Sequence, residues 1–428
     1  MPHSRLLLQL VAVLAAAPAL RAADIPAIFA EVDRVAAKPL WPGFDIAKIP
    51  VEVYDGKQTW LRGHPSPPPE FKAGSSDNKL RVYEGLHASV RANTSTDLAG
   101  VRTATVMLDR SPDITPRQAA ALIAHECFHV FEHERYPQWQ ANEAVLFTYP
   151  VENENAATLA LLELEALRRA VAEADRCQAG QFAAIRQERF AAVGPDAAQY
   201  ERSTELNEGA AQYIQNAVAG VKPDLSKDFG PTDVRNRAYA VGPAIAGLLD
   251  RLSPDWKTRV KGSLEELIPG APLESCKFTA AEREAAAAKA ARQIQAVVAR
   301  RADLEKSFDA DPGWKVVIEV AGGHLLTPAG FDPMNVERLG GAKVLHARWL
   351  KLQNNTGSAE AINHRSVTTG AGKHPLFNGV RFWTVLLGEK PDAKSDADVV
   401  RITAKGFDLQ FSNAELETDT RLLTVRLR

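Results

Sequence analysis

Neither sign of charge is in excess: 51 Lys and Arg stand against 53 Asp and Glu, a formal net charge of -2 over 428 residues. That balance supplies no basic footprint for nucleic acid and no strongly acidic field. Long apolar runs are also missing. After the first residues no stretch approaches the roughly 20 residues of a membrane-spanning helix, so a mature chain without a membrane span is expected. Cysteine is scarce, with 3 residues, and three thiols cannot all pair within one chain. No internal repeat is visible. Gly370-Ala-Gly-Lys373 has the look of a phosphate loop, but His374 replaces the required Ser or Thr and the first glycine is misplaced. What is present is an ordinary globular composition, 45% apolar and 24% charged, long enough for two or three domains.

The N-terminus reads as a targeting segment. Arg5 precedes an apolar run over 6–17, and the small residues Ala19, Ala22 and Ala23 suit cleavage after Ala22. A single membrane anchor is the rival reading, for which the run is short. A signal peptide over 1–22 and a secreted or periplasmic mature protein are therefore expected. Export permits disulfides, and Cys177 with Cys276 is the candidate pair, free thiols being the alternative. Cys127 is expected to fill core.

Residues 23–110 read as an α/β region: a short helix over 24–37, a strand over 49–55 that stops at Asp55-Gly56, a stiff proline loop over 65–69, and a β-branched run over 101–108. Thr115 can cap a helix with Pro116 at its first position, and Pro137 ends it. Further helices are expected near 152–176, 179–193, 196–219, 235–252 and 279–307, the last opened by the capping box Thr279-Ala-Ala-Glu282. From about 308 the period changes. Strands near 314–320, 342–352, 380–387, 399–404 and 422–427 predict a C-terminal β-rich domain, a sandwich being one form of it, with 388–398 a long hairpin loop. The fold class is α+β, divided as 1–22, 23–110, 111–307 and 308–428.

Inside the capped helix lies His125-Glu126-Cys127-Phe128-His129. Residues four apart share a helix face, so His125 and His129 can aim two imidazoles at one metal ion, with Glu126 offset beside it. This is the H-E-x-x-H zinc pattern, in which the ion acidifies a water and the carboxylate takes its proton. A third protein ligand is needed. His133 fails: at about 1.5 Å of rise per residue it starts roughly 12 Å from His125 along the same helix. Among downstream acids Glu208 ranks first, because Gly209, Ala210 and Ala211 behind it would let another helix approach closely. Glu143 follows, then Glu152 and Glu154. Glu205, one turn before Glu208, is a candidate to orient a zinc histidine through a hydrogen bond.

His125-Glu-x-x-His129 followed by Leu206-Asn-Glu-Gly-x-Ala211 resembles the gluzincin metallopeptidases, above all their aminopeptidase-N-like branch. The resemblance covers roughly residues 115–252. It implies a zincin-like (thermolysin-like), mainly helical catalytic domain beside a small N-terminal mixed sheet. It also implies Zn2+ held by His125, His129 and Glu208, with Glu126 as general base. The similar element Ala238-Tyr-Ala-Val-Gly242 implies that Tyr239 bonds the oxyanion, and the strand over 101–108 would be the edge that aligns an extended peptide or protein substrate. Two departures stand out. His129 to Glu208 spans 79 residues, longer than that branch's short connection, and the Gly-x-Met-Glu-Asn element that holds a substrate's amino terminus is absent. The reading is an exported zinc metallopeptidase of unassigned specificity. A non-catalytic secreted binding protein on the same scaffold, or a zinc hydrolase of other substrates, is the alternative.

Overall fold

Thr115 begins the helix that carries the histidines as its sequence demands. Its side chain accepts from Gln118 N while Gln118 reaches back to Thr115, closing a capping box ahead of Pro116–Arg135. The computed structural model describes residues 24–74, 80–111, 113–270, 273–321 and 324–428. The expected signal peptide over 1–22 lies outside them. The chain divides into two compact units: residues up to 136 with 214–221, and 137–213 with 222–428. Among the described residues no helix is long and apolar enough to cross a membrane.

The first unit holds helix α1 (Ile25–Ala36), a six-stranded mixed sheet and helix α2 (Pro116–Arg135). The strands are β1 (Val51–Tyr54), β2 (Gln58–Arg62), β3 (Lys72–Ala73), β4 (Leu80–Glu84), β5 (Thr94–Leu98) and β6 (Val101–Met107), in the order β3-β4-β2-β1-β6-β5. Ala119, Ala120, Ala121 and Ala124 give α2 a slim buried face. Phe128 packs edge-on against Trp41 and Phe44, with ring centroids 5.3 and 5.2 Å away. One expectation is overturned here. The run over 101–108 is not the sheet's edge: β6 pairs with β1 in parallel and with β5 antiparallel, and β5 is outermost. Its Ser/Thr-rich sequence carries little strand signal. The pairing is set by a turn in which Ala99 (φ 49) and Gly100 (φ 81) are both left-handed, as a tight hairpin with a right-handed twist requires.

The second unit begins with helices α3 (Glu154–Glu173), α4 (Arg176–Val193) and α5 (Pro195–Thr204). A π turn over Glu205–Gly209 joins α5 to α6 (Ala210–Ala219), whose last turns count with the first unit. Helices α7 (Val234–Leu252), α8 (Trp256–Arg259) and α9 (Ala280–Asp309) follow. The single helix expected over 196–219 is thus interrupted, because one extra residue enters the turn at Glu205–Gly209. Cys177 and Cys276 are bridged, 99 residues apart. A loop of that length gives about 4–5 kcal/mol of stabilisation on the chain-entropy account.

The helices are held by charge buried among them. Glu163 of α3 is fully buried and accepts from Arg186 (2.7 Å), Arg189 (2.5 Å) and Arg237 (2.6 Å). Arg189 also forks onto Glu201, and Arg186 reaches Glu205. Arg186, Arg189 and Arg202 stack on the ring of Phe190. Four glutamates (163, 201, 205, 265) meet four arginines (186, 189, 202, 237), all buried except the half-buried Arg202, so the charges of the cluster balance.

After α9, two sheets enclose one core. The strands are β7 (Trp314–Val320), β8 (Thr327–Phe331), β9 (Val336–Arg338), β10 (Lys343–His346), β11 (Trp349–Asn354), β12 (Gly357–Ile362) and β13 (Ser366–Gly370). They continue with β14 (Val380–Leu387), β15 (Asp392–Asp396), β16 (Val399–Ala404), β17 (Phe407–Phe411), β18 (Ala414–Thr418) and β19 (Leu422–Leu427). One sheet runs β18-β19-β7-β14-β13-β10-β9 and the other β15-β16-β17-β12-β11-β8. Val316, Ile318, Trp383 and Val425 from the first meet Leu350, Ile402, Leu409 and Phe411 from the second. The expected loop over 388–398 contains a strand, β15, at the outer end of its sheet. A polar strand with little buried surface leaves no apolar alternation to read. The strand expected over 342–352 divides between the two sheets as β10 and β11.

Two expectations follow from the helical packing. A Cβ on Gly242 would lie 2.7 Å from Gly209 Cα, backbone against backbone, with no flexible group to yield. Gly242→Ala should therefore cost roughly 1–3 kcal/mol, read as a lower urea midpoint of the helical signal. Burial works to raise the pKa of Glu163, yet Arg189, Arg237 and Arg186 hold it down at about 2. A depressed carboxylate contributes stability above its unfolded value near 4.3 and loses it as pH falls through the folded value, so about 3 kcal/mol should disappear between roughly pH 5 and 2. Glu163→Gln should be less stable at pH 7 and show a flatter acid loss; an unchanged slope would refute the assignment.

Candidate metal centre

On α2, His125 and His129 turn their Nε2 atoms toward each other at 3.1 Å. Two ligands about 2.0–2.1 Å from one tetrahedral ion would stand roughly 3.3 Å apart, so the spacing suits a shared metal. His129 Nδ1 lies 3.0 Å from Glu132 Oε2. A carboxylate can only accept, so Nδ1 carries the proton and Nε2 keeps its lone pair outward. Glu132 is itself 2% exposed and sits one turn on, at the i+3 position. Glu126 is buried on the same helix, and His133 is exposed beyond it.

Glu208 stands in the π turn. In an α-helix Glu205 and Glu208 would be about 60° apart around the axis, and the wider turn opens that angle. Glu205 is consumed by Arg186 in the buried charge cluster and is a partner of that arginine, not of a histidine. Glu208 instead accepts from Arg235 Nη2 at Oε1 (2.5 Å) and from the Tyr239 hydroxyl at Oε2 (2.6 Å). Both donors come from α7, which can approach because Gly209 meets Gly242 there. Arg235 also donates to Glu143, which accepts from the Tyr200 hydroxyl at 3.0 Å.

The electrostatics follow from burial. Burial, then the Glu208 charge, pushes the Tyr239 hydroxyl well above the ordinary phenol range, so it stays a donor. Burial opposes the charge of Arg235, but Glu208 and Glu143 overcome it and keep the guanidinium protonated. Burial pushes Glu143 up against the pull of Arg235. Burial also pushes the Cys127 thiol far up, which suits core filler.

One ligand atom from each of His125, His129 and Glu208 lies within 4.8 Å of the others, so this group could hold a metal ion. Two imidazole nitrogens and one carboxylate oxygen are a donor set that zinc accepts. The other acids considered go elsewhere. Glu143 is bound to Arg235 and Tyr200, Glu152 pairs with Arg301 at 2.7 Å, and Glu154 is exposed in the first turn of α3. Tyr239, the residue expected to bond the oxyanion, donates its hydroxyl to Glu208 Oε2. Sequence reasoning missed Glu132 and Arg235. Glu132 had a signal, the i+3 spacing from His129; Arg235 had none, because its partners lie 27 and 92 residues away. No known family model matches the chain, and no curated protein or solved structure matches it.

Arg235 occupies one oxygen of Glu208 and so fixes where the other points. Arg235→Gln should leave the far-ultraviolet circular dichroism unchanged while weakening zinc binding by roughly 10- to 100-fold, as loss of a ligand's outer partner does. Unchanged affinity in a chelator competition would mean that Arg235 only fills space.

Proposed function

We propose that the chain is a zinc-dependent peptidase of the gluzincin type, built on a zincin-like fold. The observation that carries this reading is the grouping of His125, His129 and Glu208, ligand atoms from two sequence elements 79 residues apart. A structural site would be satisfied by closed coordination; three protein donors leave room for a water, and Glu126, buried and next to His125 in the chain, would be of no use to a structural ion.

His125, His129 and Glu208 would hold the ion, with Glu132 and Arg235 fixing the orientation of a histidine and the carboxylate. Zinc bound there supplies Lewis-acid polarisation of a carbonyl and acidification of water. Glu126 takes the proton of the attacking water and delivers it to the leaving amine. Tyr239, kept protonated by burial, is the donor at hand for the oxygen that gains charge, for which its hydroxyl would have to leave Glu208. The outer strand β5 has one unpaired edge among the described residues, to which an extended peptide could add as a further strand. The Cys177–Cys276 bridge supports an oxidising compartment and therefore export.

Purified protein should carry about one zinc per chain, by metal analysis. Glu126→Gln should keep that zinc and the fold but lose nearly all hydrolysis of a peptide library. Glu208→Ala should lower zinc affinity by orders of magnitude, whereas Glu154→Ala should stay within a few-fold. A chain that takes up no zinc on incubation, or hydrolysis that survives Glu126→Gln, would sink the reading.

A further inference from the structure

One cavity of the second unit, of about 280 Å³, gathers four arginines: Arg235 from the start of α7, Arg300 and Arg301 from α9, and Arg338 from β9. Among the described residues, Asp233 and Glu337 are the acids of its lining. The existing partners leave donors over. Arg300 pairs with Glu337 at 2.8 Å, and Arg301 Nη1 donates to Glu152 at 2.7 Å. Arg235 gives its terminal nitrogens to Glu143 and Glu208. The Nε atoms of Arg235 and Arg301 are buried with no acceptor among the described residues, and Arg301 as a whole is only 8% exposed. Those Nε atoms have no accessible surface, so a ligand in the cavity would meet the Nη groups of Arg300, Arg301 and Arg338, and a carboxylate is the planar anion that matches a guanidinium's paired N–H groups.

We propose that this cavity is a substrate subsite for a carboxylate, supplied by a peptide's free C-terminus or by an acidic side chain. That the carboxylate belongs to a peptide rests on the peptidase reading above. Arg235 joins the two sites: the guanidinium that holds Glu208 also lines the cavity, so the recognised carboxylate lies one arginine away from the candidate metal ligand. The basic lining selects for charge, and its modest volume admits a chain end or one side chain.

The test is binding rather than turnover. Zinc-loaded full-length protein carrying Glu126→Gln is titrated with three fluorescently labelled peptides of one backbone sequence: a free acid, its C-terminal amide, and an amide with an internal Asp. At least one carboxylate-bearing peptide should bind tighter than the plain amide, on the order of 10- to 100-fold. Which one does identifies the carboxylate's source. Arg301→Gln and Arg338→Gln should each remove most of that preference and leave the affinity for the plain amide unchanged. Arg338 is exposed on β9, so its variant keeps the test alive should Arg301→Gln fold poorly. Equal affinity for all three peptides, binding of none, or a preference that survives both substitutions would overturn the proposal. Hydrolysis by the wild-type chain without charge preference would sink this proposal and spare the peptidase reading. A carboxylate preference in a chain that hydrolyses nothing would do the reverse.

Discussion

Glu163 sits at the centre of the helical region with no exposed surface and three arginines on its carboxylate. A buried ion is tolerated only when it is paired and its remaining donors and acceptors are filled. That requirement fixes the helices more tightly than apolar contact would, because guanidinium forks demand direction as well as proximity. Arg186 and Arg189 lie three apart on α4, Glu201 and Glu205 four apart across α5 and the π turn, and Arg237 comes from α7. Satisfying Glu163 thus sets α3, α4, α5 and α7 in one arrangement, and Phe190 fills the space between the guanidinium planes.

The candidate metal ligand depends on that arrangement. Once Glu201 and Glu205 are committed to arginines, the helix must turn further to bring Glu208 toward α7, and the π turn supplies the rotation. Gly209 and Gly242 then let the backbones meet, which brings Arg235 and Tyr239 within hydrogen-bond reach of Glu208. Three glutamates within eight positions of one helical stretch end in two different chemical environments, and neighbouring arginines decide which.

The histidine helix is organised differently. Its cap, its alanine face and the i, i+4 spacing are local, so α2 carries His125 and His129 in register whatever the rest of the chain does. Glu132 adds to the same helix the acceptor that fixes the tautomer of His129. The two halves of the centre therefore have unlike origins: the imidazoles are a property of one helix, and the carboxylate a property of how several helices pack.

This difference also describes what could be read from the chain alone. Capping boxes at Thr115 and Thr279, the extent of α2, the helices after it and the change to strands near Trp314 are written in local spacing and propensity, and the sequence determined them. The pair His125 and His129 is written there too, and the small residues after Glu208 put it first among several acids, but which acid joins the histidines is set by packing. Only the tertiary structure decided that β5 and not β6 is the sheet's edge, since a polar Ser/Thr strand becomes a strand by pairing rather than by pattern. It alone decided that 388–398 contains a strand, for the same reason. And it alone assigned Glu205 to an arginine and Glu208 to Arg235 and Tyr239, because the partners that choose between two glutamates lie far off in sequence, and a buried charge goes where its counter-charge is.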